Sequence, residues 1–214
     1  MTKIGIIGAT GAAGRAITKE AQARGLETTA IVRNLAKAKD LFGDTVSYLH
    51  RDAFDLTKED LAAFDVVVNA LSPAGLDIAY QHIDLATKLI AYFREAQSPR
   101  LFFILGAGSL KNGKGGRVLD DLEKNPDVAA LINVPRQQAK EFDFLNQVDN
   151  VNWVAISPGF LLTDGQKTDS ILGTDTILYS GEKSETSTGT LASAILDEIQ
   201  NPQHQQERFT VVNR

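Results

Sequence analysis

Apolar positions along the chain fall into short runs that alternate between two periods. Segments 4–7, 28–32, 46–49, 65–70, 101–105, 151–156 and 208–212 are runs rich in Ile, Val, Leu and Phe, each the length of a strand. Several are nearly continuous in apolar character, as strands covered on both faces are. Between them, apolar residues recur at helical spacing. Ala13, Ala16, Ile17 and Ala21 mark a first helix, with Gly25 placed to end it. Leu35, Ala38 and Leu41 face inward from a helix over 34–42. A short helix over 57–63 opens on Thr57 with Asp60 three residues on, a capping pair. A long helix over 78–93 carries Ile78, Ala86, Leu89, Ile90 and Phe93 near one side, and 136–148 and 191–199 complete the set.

Strands alternating with helices predict βαβ units joined by right-handed crossovers. The expected fold class is α/β. It is a Rossmann-like, doubly wound, mostly parallel sheet with helices on both faces and a small substrate-side extension after the sixth strand. No repeat, low-complexity tract or linker divides the chain, so residues 1–214 are expected to form a single domain, with 159–190 as a small substrate-side segment. Two segments break the rhythm. Residues 106–134 carry Gly113, Gly115 and Gly116 and predict a mobile loop after the fifth strand. Residues 159–189 are polar and rich in Thr and Ser, with a short apolar piece at 176–179. Both follow the carboxyl ends of strands, where open α/β sheets bind ligands. Plain surface loops would read the same way.

Composition narrows the chemistry. A net charge of −5 with no run of Lys or Arg argues against nucleic acid or an anionic membrane as partner, because phosphate binding needs a basic surface. The absence of cysteine removes disulfides, thiolate catalysis and iron–sulfur clusters. His50, His82 and His204 lie far apart with no ligand spacing. The reading is no metal and three surface or half-buried imidazoles. No apolar stretch approaches the ~18 residues that would span a membrane, and no signal peptide is evident. The default is a soluble cytoplasmic protein whose partner is a small molecule, as monomer or homodimer.

The first apolar run leads into Gly8-Ala9-Thr10-Gly11-Ala12-Ala13-Gly14. A buried strand before this turn and a helix opening from it are the setting of a dinucleotide site. Gly8 permits the tight turn, Gly11 lets the backbone approach a pyrophosphate, and Gly14 lets the helix pack close to the sheet. The free N–H groups and positive end of the helix then face the phosphates. At the end of the second strand stands Arg33, and no acid follows until Asp40. An NAD site usually places Asp or Glu there for the ribose 2′-hydroxyl, and an NADP site an Arg for the 2′-phosphate. NADP(H) is therefore favoured over NAD(H).

The spacing is G-x-x-G-x-x-G, and Gly8 to Gly14 resembles the motif of the extended and atypical short-chain dehydrogenase/reductase superfamily. Within it the chain is similar to the small NmrA-like branch that includes proteins named NADH-flavin reductases and the flavin/biliverdin reductase type. The resemblance covers nearly the whole chain. It rests on the ordered set Val67-Val68-Asn69-Ala70, Leu105-Gly106-Ala107-Gly108-Ser109, Ile156-Ser157-Pro158-Gly159-Phe160, Asn201-Pro202-Gln203-His204 and Glu207-Arg208-Phe209-Thr210-Val211. It implies that Asp52 and Ala53 lie beside the adenine, with capping or surface exposure the alternative for Asp52. Ala70, Leu71 and Ser72 would pass the ribose side. Gly106, Pro158 and Gly159 would flank the nicotinamide, where a backbone N–H can fix the carboxamide. Phe160 would be a stacking wall or core filler.

Short-chain dehydrogenases of the usual kind carry Tyr-x-x-x-Lys on the helix after strand five. Here the matching stretch is Arg136-Gln137-Gln138-Ala139-Lys140, with Arg at the Tyr position. Arg does not donate a proton at neutral pH, so ordinary alcohol dehydrogenation does not fit. Lys140 is a candidate ribose contact or a solvated lysine. Ser109 is a candidate to orient the acceptor or a turn serine. A conjugated acceptor needs mostly positioning. The expectation is an NAD(P)H-dependent reductase of a flavin, quinone or similar planar acceptor. The alternatives are a non-catalytic NAD(P)-sensing regulator of the NmrA-like type and, more weakly, a sugar-nucleotide epimerase or dehydratase.

Overall fold

Apolar residues that alternate within each run have two faces to cover, and the structure covers both. The computed structural model describes residues 2–73 and 75–214, so Met1, at the head of the expected first βαβ unit, lies outside them. The strands are β1 (Lys3–Ile7), β2 (Glu27–Val32), β3 (Ser47–His50), β4 (Val66–Asn69), β5 (Arg100–Ile104), β6 (Trp153–Pro158), β7 (Leu161–Thr163), β8 (Ser170–Gly173), β9 (Glu185–Ser187) and β10 (Arg208–Asn213). Eight of them form one sheet in the order β3-β2-β1-β4-β5-β6-β10-β8. Every pairing in it is parallel except that of β8, which runs antiparallel to β10. This is the doubly wound α/β architecture, with its strand order reversing between β1 and β4.

Ile4, Ile6, Val66, Val68, Phe102, Val154 and Ile156 point to the side covered by α1 (Ala12–Ala23), α2 (Leu35–Phe42) and α7 (Thr188–Gln200). Their neighbours Ile7, Val67, Leu101, Phe103, Trp153 and Ala155 point to the other side. There they meet α3 (Lys58–Leu61), α4 (Gln81–Tyr92) and α6 (Asn133–Leu145). Local signals set the helix ends. The Asn34 side chain accepts from the Lys37 N–H at 2.9 Å, and Thr57 and Asp60 form a reciprocal capping box. Gly25, at φ 69°, follows the last turn of α1. Its N–H donates to the Gln22 carbonyl, and that of Leu26 to the Ala21 carbonyl, a Schellman closure.

Two segments differ from expectation. Residues 106–134 are an ordered cap, not a mobile loop. They contain α5 (Val118–Leu122) and short 3-10 turns at Ala107–Ser109 and Pro126–Leu131. Arg117 makes two bonds to the Asp143 carboxylate at 2.9 and 2.5 Å, and Arg136 pairs with Glu123 at 2.6 Å, so both ends of the cap are tied to α6. The helix expected over 136–148 begins earlier, at Asn133. Pro135 sits in its first turn, where a missing N–H is tolerated. The polar stretch after β6 adds β8 to the sheet edge and pairs β7 with β9 in a short parallel ribbon. Among the described residues no helix is long and apolar enough to cross a membrane.

The turn from β1 into α1 brings backbone close against backbone. Gly8 adopts φ 74°, in the left-handed region that only glycine occupies without cost. A Cβ on Gly14 would lie 2.3 Å from the Gly8 carbonyl oxygen and 2.8 Å from the Ala9 Cα. Because those atoms are backbone, Gly14→Ala must displace α1. Urea denaturation should show a loss of about 1–3 kcal/mol, and an unchanged midpoint would contradict this packing.

Candidate functional site

A cavity of about 950 Å³ runs along the carboxyl ends of β1, β2, β4, β5 and β6. The middle of its wall is the glycine turn: Gly8, Thr10, Gly11, Ala12 and Ala13. Gly11 is the N-cap of α1, makes no side-chain cap, and is followed by no acid in the first turn. The leading N–H groups and positive end of α1 therefore reach the cavity without a protein anion to neutralise them. Gly14 is not on the wall. It lies beneath the turn, where its missing side chain brings the helix in.

Arg33, Asn34, Lys37, Arg51, Asp52 and Ala53 form one end of the cavity. The Arg33 side chain is 84% exposed, and its Nη1 lies 3.7 Å from Asp52 Oδ2. The other carboxylate oxygen of Asp52 accepts the Phe54 N–H at 2.9 Å, so the capping alternative for Asp52 is realised while the residue still lines the cavity. Three cations and one partly engaged carboxylate leave this end positive. Lys37 and Arg51 were not singled out by sequence. Lys37 lies in the first turn of α2, four residues after Arg33, which precedes the N-cap Asn34.

Ala70, Leu71, Ser72 and Pro73 lie along the wall after β4. Asn69 shapes their turn, its side chain accepting the Leu71 N–H at 3.2 Å. Beyond them the cavity becomes largely apolar. Its lining there includes Gly106, Ala107, Gly108, Pro158, Phe160 and Leu162 with Ile78, Gln81, His82 and Ile132, and Pro135 and Gln138 pack against Gly108 and Gly106.

Several expectations fail at this end. Ser109 is not on the cavity wall. It is 3% exposed, and its hydroxyl accepts from Arg208 Nη1 at 2.5 Å, because the 3-10 turn rotates it into the protein. Lys140 is exposed and also off the wall. The face of α6 turned to the cavity carries Pro135 and Gln138, and Arg136 is bound to Glu123. The Gly159 N–H donates to Thr186 Oγ1 at 2.8 Å and the Phe160 N–H to Ser184 Oγ at 3.0 Å. Neither amide is free to hold a carboxamide. Phe160 is not core filler: it is 48% exposed at the cavity edge.

His82 overturns the reading of the histidines as surface or half-buried. It is 4% exposed, and its Nδ1 lies 3.8 Å from Oε2 of Glu141, which is 1% exposed. His82 Nε2 and Glu141 Oε2 have no hydrogen-bond partner among the described residues. Burial alone pushes the His82 pKa down from 6.5 to about 4 and raises that of Glu141 well above its usual 4.5. Burial thus disfavours the charged form of each group. A clue was present in the sequence: Glu141 falls on the apolar stripe of α6 with Phe142 and Leu145.

A family model described as NAD(P)H-binding matches residues 8–202. YwnB, an uncharacterized protein of Bacillus subtilis (strain 168), is 38% identical over 217 residues, which cover 99% of this chain and 98% of that protein. The crystal structure of a Lactobacillus casei protein aligns with a TM-score of 0.91 at 38% identity over 99% of each chain. A Streptococcus pneumoniae TIGR4 protein, named a "putative NADH-flavin reductase", aligns with a TM-score of 0.88 at 31% identity over 100% of each chain.

The buried pair gives stability a particular pH dependence. The folded state keeps the Glu141 proton above pH 4.5, where the unfolded chain has lost it, so this contribution falls as pH rises through the raised pKa. His82 acts oppositely between about 4 and 6.5, where the unfolded chain binds the extra proton and acid destabilises. His82 is common to the unmutated protein and Glu141→Gln, so comparing the two isolates the Glu141 effect. Thermal unfolding should show the unmutated protein losing stability relative to Glu141→Gln as pH rises above 4.5. Parallel curves would refute a protonated Glu141.

Proposed function

We propose, from the premise that this chain belongs to the NAD(P)H-binding family, that it is an NAD(P)H-dependent reductase passing hydride to a flavin, quinone or similar planar acceptor. The observation that carries this reading is the continuity of the cavity from the glycine turn into an apolar chamber edged by Phe160. The glycine turn and the uncapped start of α1 suit a pyrophosphate, and the chamber suits a flat, conjugated partner. Reduced nicotinamide supplies the hydride when bound; the protein has to align and desolvate the two reactants. The lack of a Tyr-x-x-x-Lys pair on the cavity wall favours an acceptor that is already electrophilic. The name of the Streptococcus pneumoniae neighbour points the same way.

The roles follow the order of the wall. Gly8, Thr10, Gly11, Ala12 and Ala13 hold the diphosphate. Ala70, Leu71 and Ser72 pass the ribose, and Gly106 and Pro158 border the reacting ring. The 159–190 segment forms the acceptor side. Arg33 favours NADP(H), with Lys37 and Arg51 beside it to receive the 2′-phosphate. Asp52 and Ala53 border the adenine. Ser109 and Lys140 are withdrawn as catalytic candidates because neither reaches the cavity. That same withdrawal sustains a second reading, a cofactor-sensing module that does not turn over.

Titration should find NADPH bound more tightly than NADH, and Arg33→Ala should narrow the gap by about tenfold. Equal affinities in the unmutated protein would refute the preference. Supplying NADPH with free FMN, FAD or quinones should bleach the nicotinamide absorbance. Tight binding without oxidation of any acceptor would favour the sensor.

A further inference from the structure

Among the described residues, His82 and Glu141 are neighbouring buried titratable groups that each keep a polar atom without a hydrogen-bond partner. His82 comes from the start of α4 and Glu141 from the middle of α6, and the two helices pack against each other. His82 is among the residues lining the cavity, with its Nε2 covered and unpartnered among the described residues, and Glu141 lies off the wall with its carboxyl 3.8 Å from the ring. Among the described residues Glu141 is the one acidic group within 4 Å of the ring. A buried polar group without a partner costs about 1–3 kcal/mol. A core position in α6 that needed only packing would be filled more stably by Leu or Met.

We propose that His82 is a catalytic residue that delivers a proton to the reduced acceptor and that Glu141, acting through it, is the proton reserve. This rests on the reductase reading above. Reduction of a flavin or quinone takes up a hydride and a proton. The hydride leaves reduced nicotinamide, which is oxidised. The proton leaves His82 Nε2 as an N–H or O–H bond forms on the acceptor. In concert, the Glu141 O–H breaks and its proton moves to His82 Nδ1. The imidazole ends neutral in its other tautomer and Glu141 ends as a carboxylate; once product leaves, water returns a proton to His82 Nε2 as the Nδ1 proton passes back to Glu141. Neither a free imidazolium nor an imidazolate forms, which suits a ring whose burial disfavours charge. The 3.8 Å gap between Nδ1 and the carboxyl is wider than a hydrogen bond, and catalytic contacts often tighten only around substrate.

The test compares the unmutated protein with Glu141→Gln, which keeps shape and neutrality but carries no transferable proton, and His82→Phe, which keeps a flat ring. Folding is checked by circular dichroism and by NADPH titration, both expected to be near unchanged. Infrared difference spectra of the unmutated protein against Glu141→Gln, without cofactor at neutral pH, should show a protonated-carboxyl band. With NADPH and free FMN or a benzoquinone, each variant should lower kcat by about 10²-fold, and the solvent deuterium effect on kcat should change. Turnover that survives intact in both variants would mean that water supplies the proton, overturning the relay while the reductase reading stands. A missing carboxyl band would overturn the relay by itself. No oxidation of any acceptor by the unmutated protein would remove the reductase reading, and the relay with it.

Discussion

The rest of the structure depends on one close approach: the first turn of α1 resting on the carbonyl of Gly8. A side chain at Gly14 would stand 2.3 Å from that oxygen, so the helix is held nearer to the sheet than any other residue would allow. At the same place the end of β4 closes over Gly8. The Ala70 N–H donates to the Ile7 carbonyl at 3.0 Å. The strand order reverses between β1 and β4, so the helix terminus, with its unneutralised N–H groups, opens into the crevice between the two halves of the fold. Tight packing, topology and an anion-binding end are thus one arrangement.

A second constraint shapes the far end of the cavity. Arg208, at the start of β10, has a fully buried side chain. Its guanidinium lies 3.7 Å over the Phe142 ring, bonds the Ser109 hydroxyl and pairs with Asp175. One side chain thereby links the last strand, α6, the turn after β5 and the polar stretch that carries β8. Removing such a charge from water is costly unless its bonds are made. The contacts that satisfy it also fix the wall from Gly106 to Gly108. Ser109 therefore shapes the site from behind.

His82 and Glu141 stand in contrast to Arg208. Both Nη atoms of Arg208 find partners and only its Nε lacks one among the described residues, whereas nothing bonds the imidazole or the carboxyl there and burial disfavours their charged forms. The charged end by Arg33 and the neutral, apolar end by His82 thus lie in one continuous cavity. A dinucleotide with charged phosphates and an uncharged reacting ring matches that gradient in polarity.

Much of this was legible in sequence where the determinants are local. Alternating apolar runs placed the seven expected strands, and Asn34, Thr57 and Gly25 marked helix ends through bonds spanning five residues or fewer. The three glycines specified the turn because backbone geometry there leaves no room for anything larger. Facing and pairing were not legible. Which side of α6 meets the cavity depends on how that helix packs, so Lys140 points to solvent and Gln138 inward. The cap over 106–134 is ordered by Arg117 reaching Asp143 and Arg136 reaching Glu123, charges that no short-range pattern relates. His82 could not be told from a surface imidazole until α4 and α6 were brought together. The sequence by itself determined the layers, the turn and the kind of ligand, since periodicity and steric exclusion act between near neighbours. Tertiary structure alone decided which side chains lose water together, because burial and charge pairing arise only when distant elements meet.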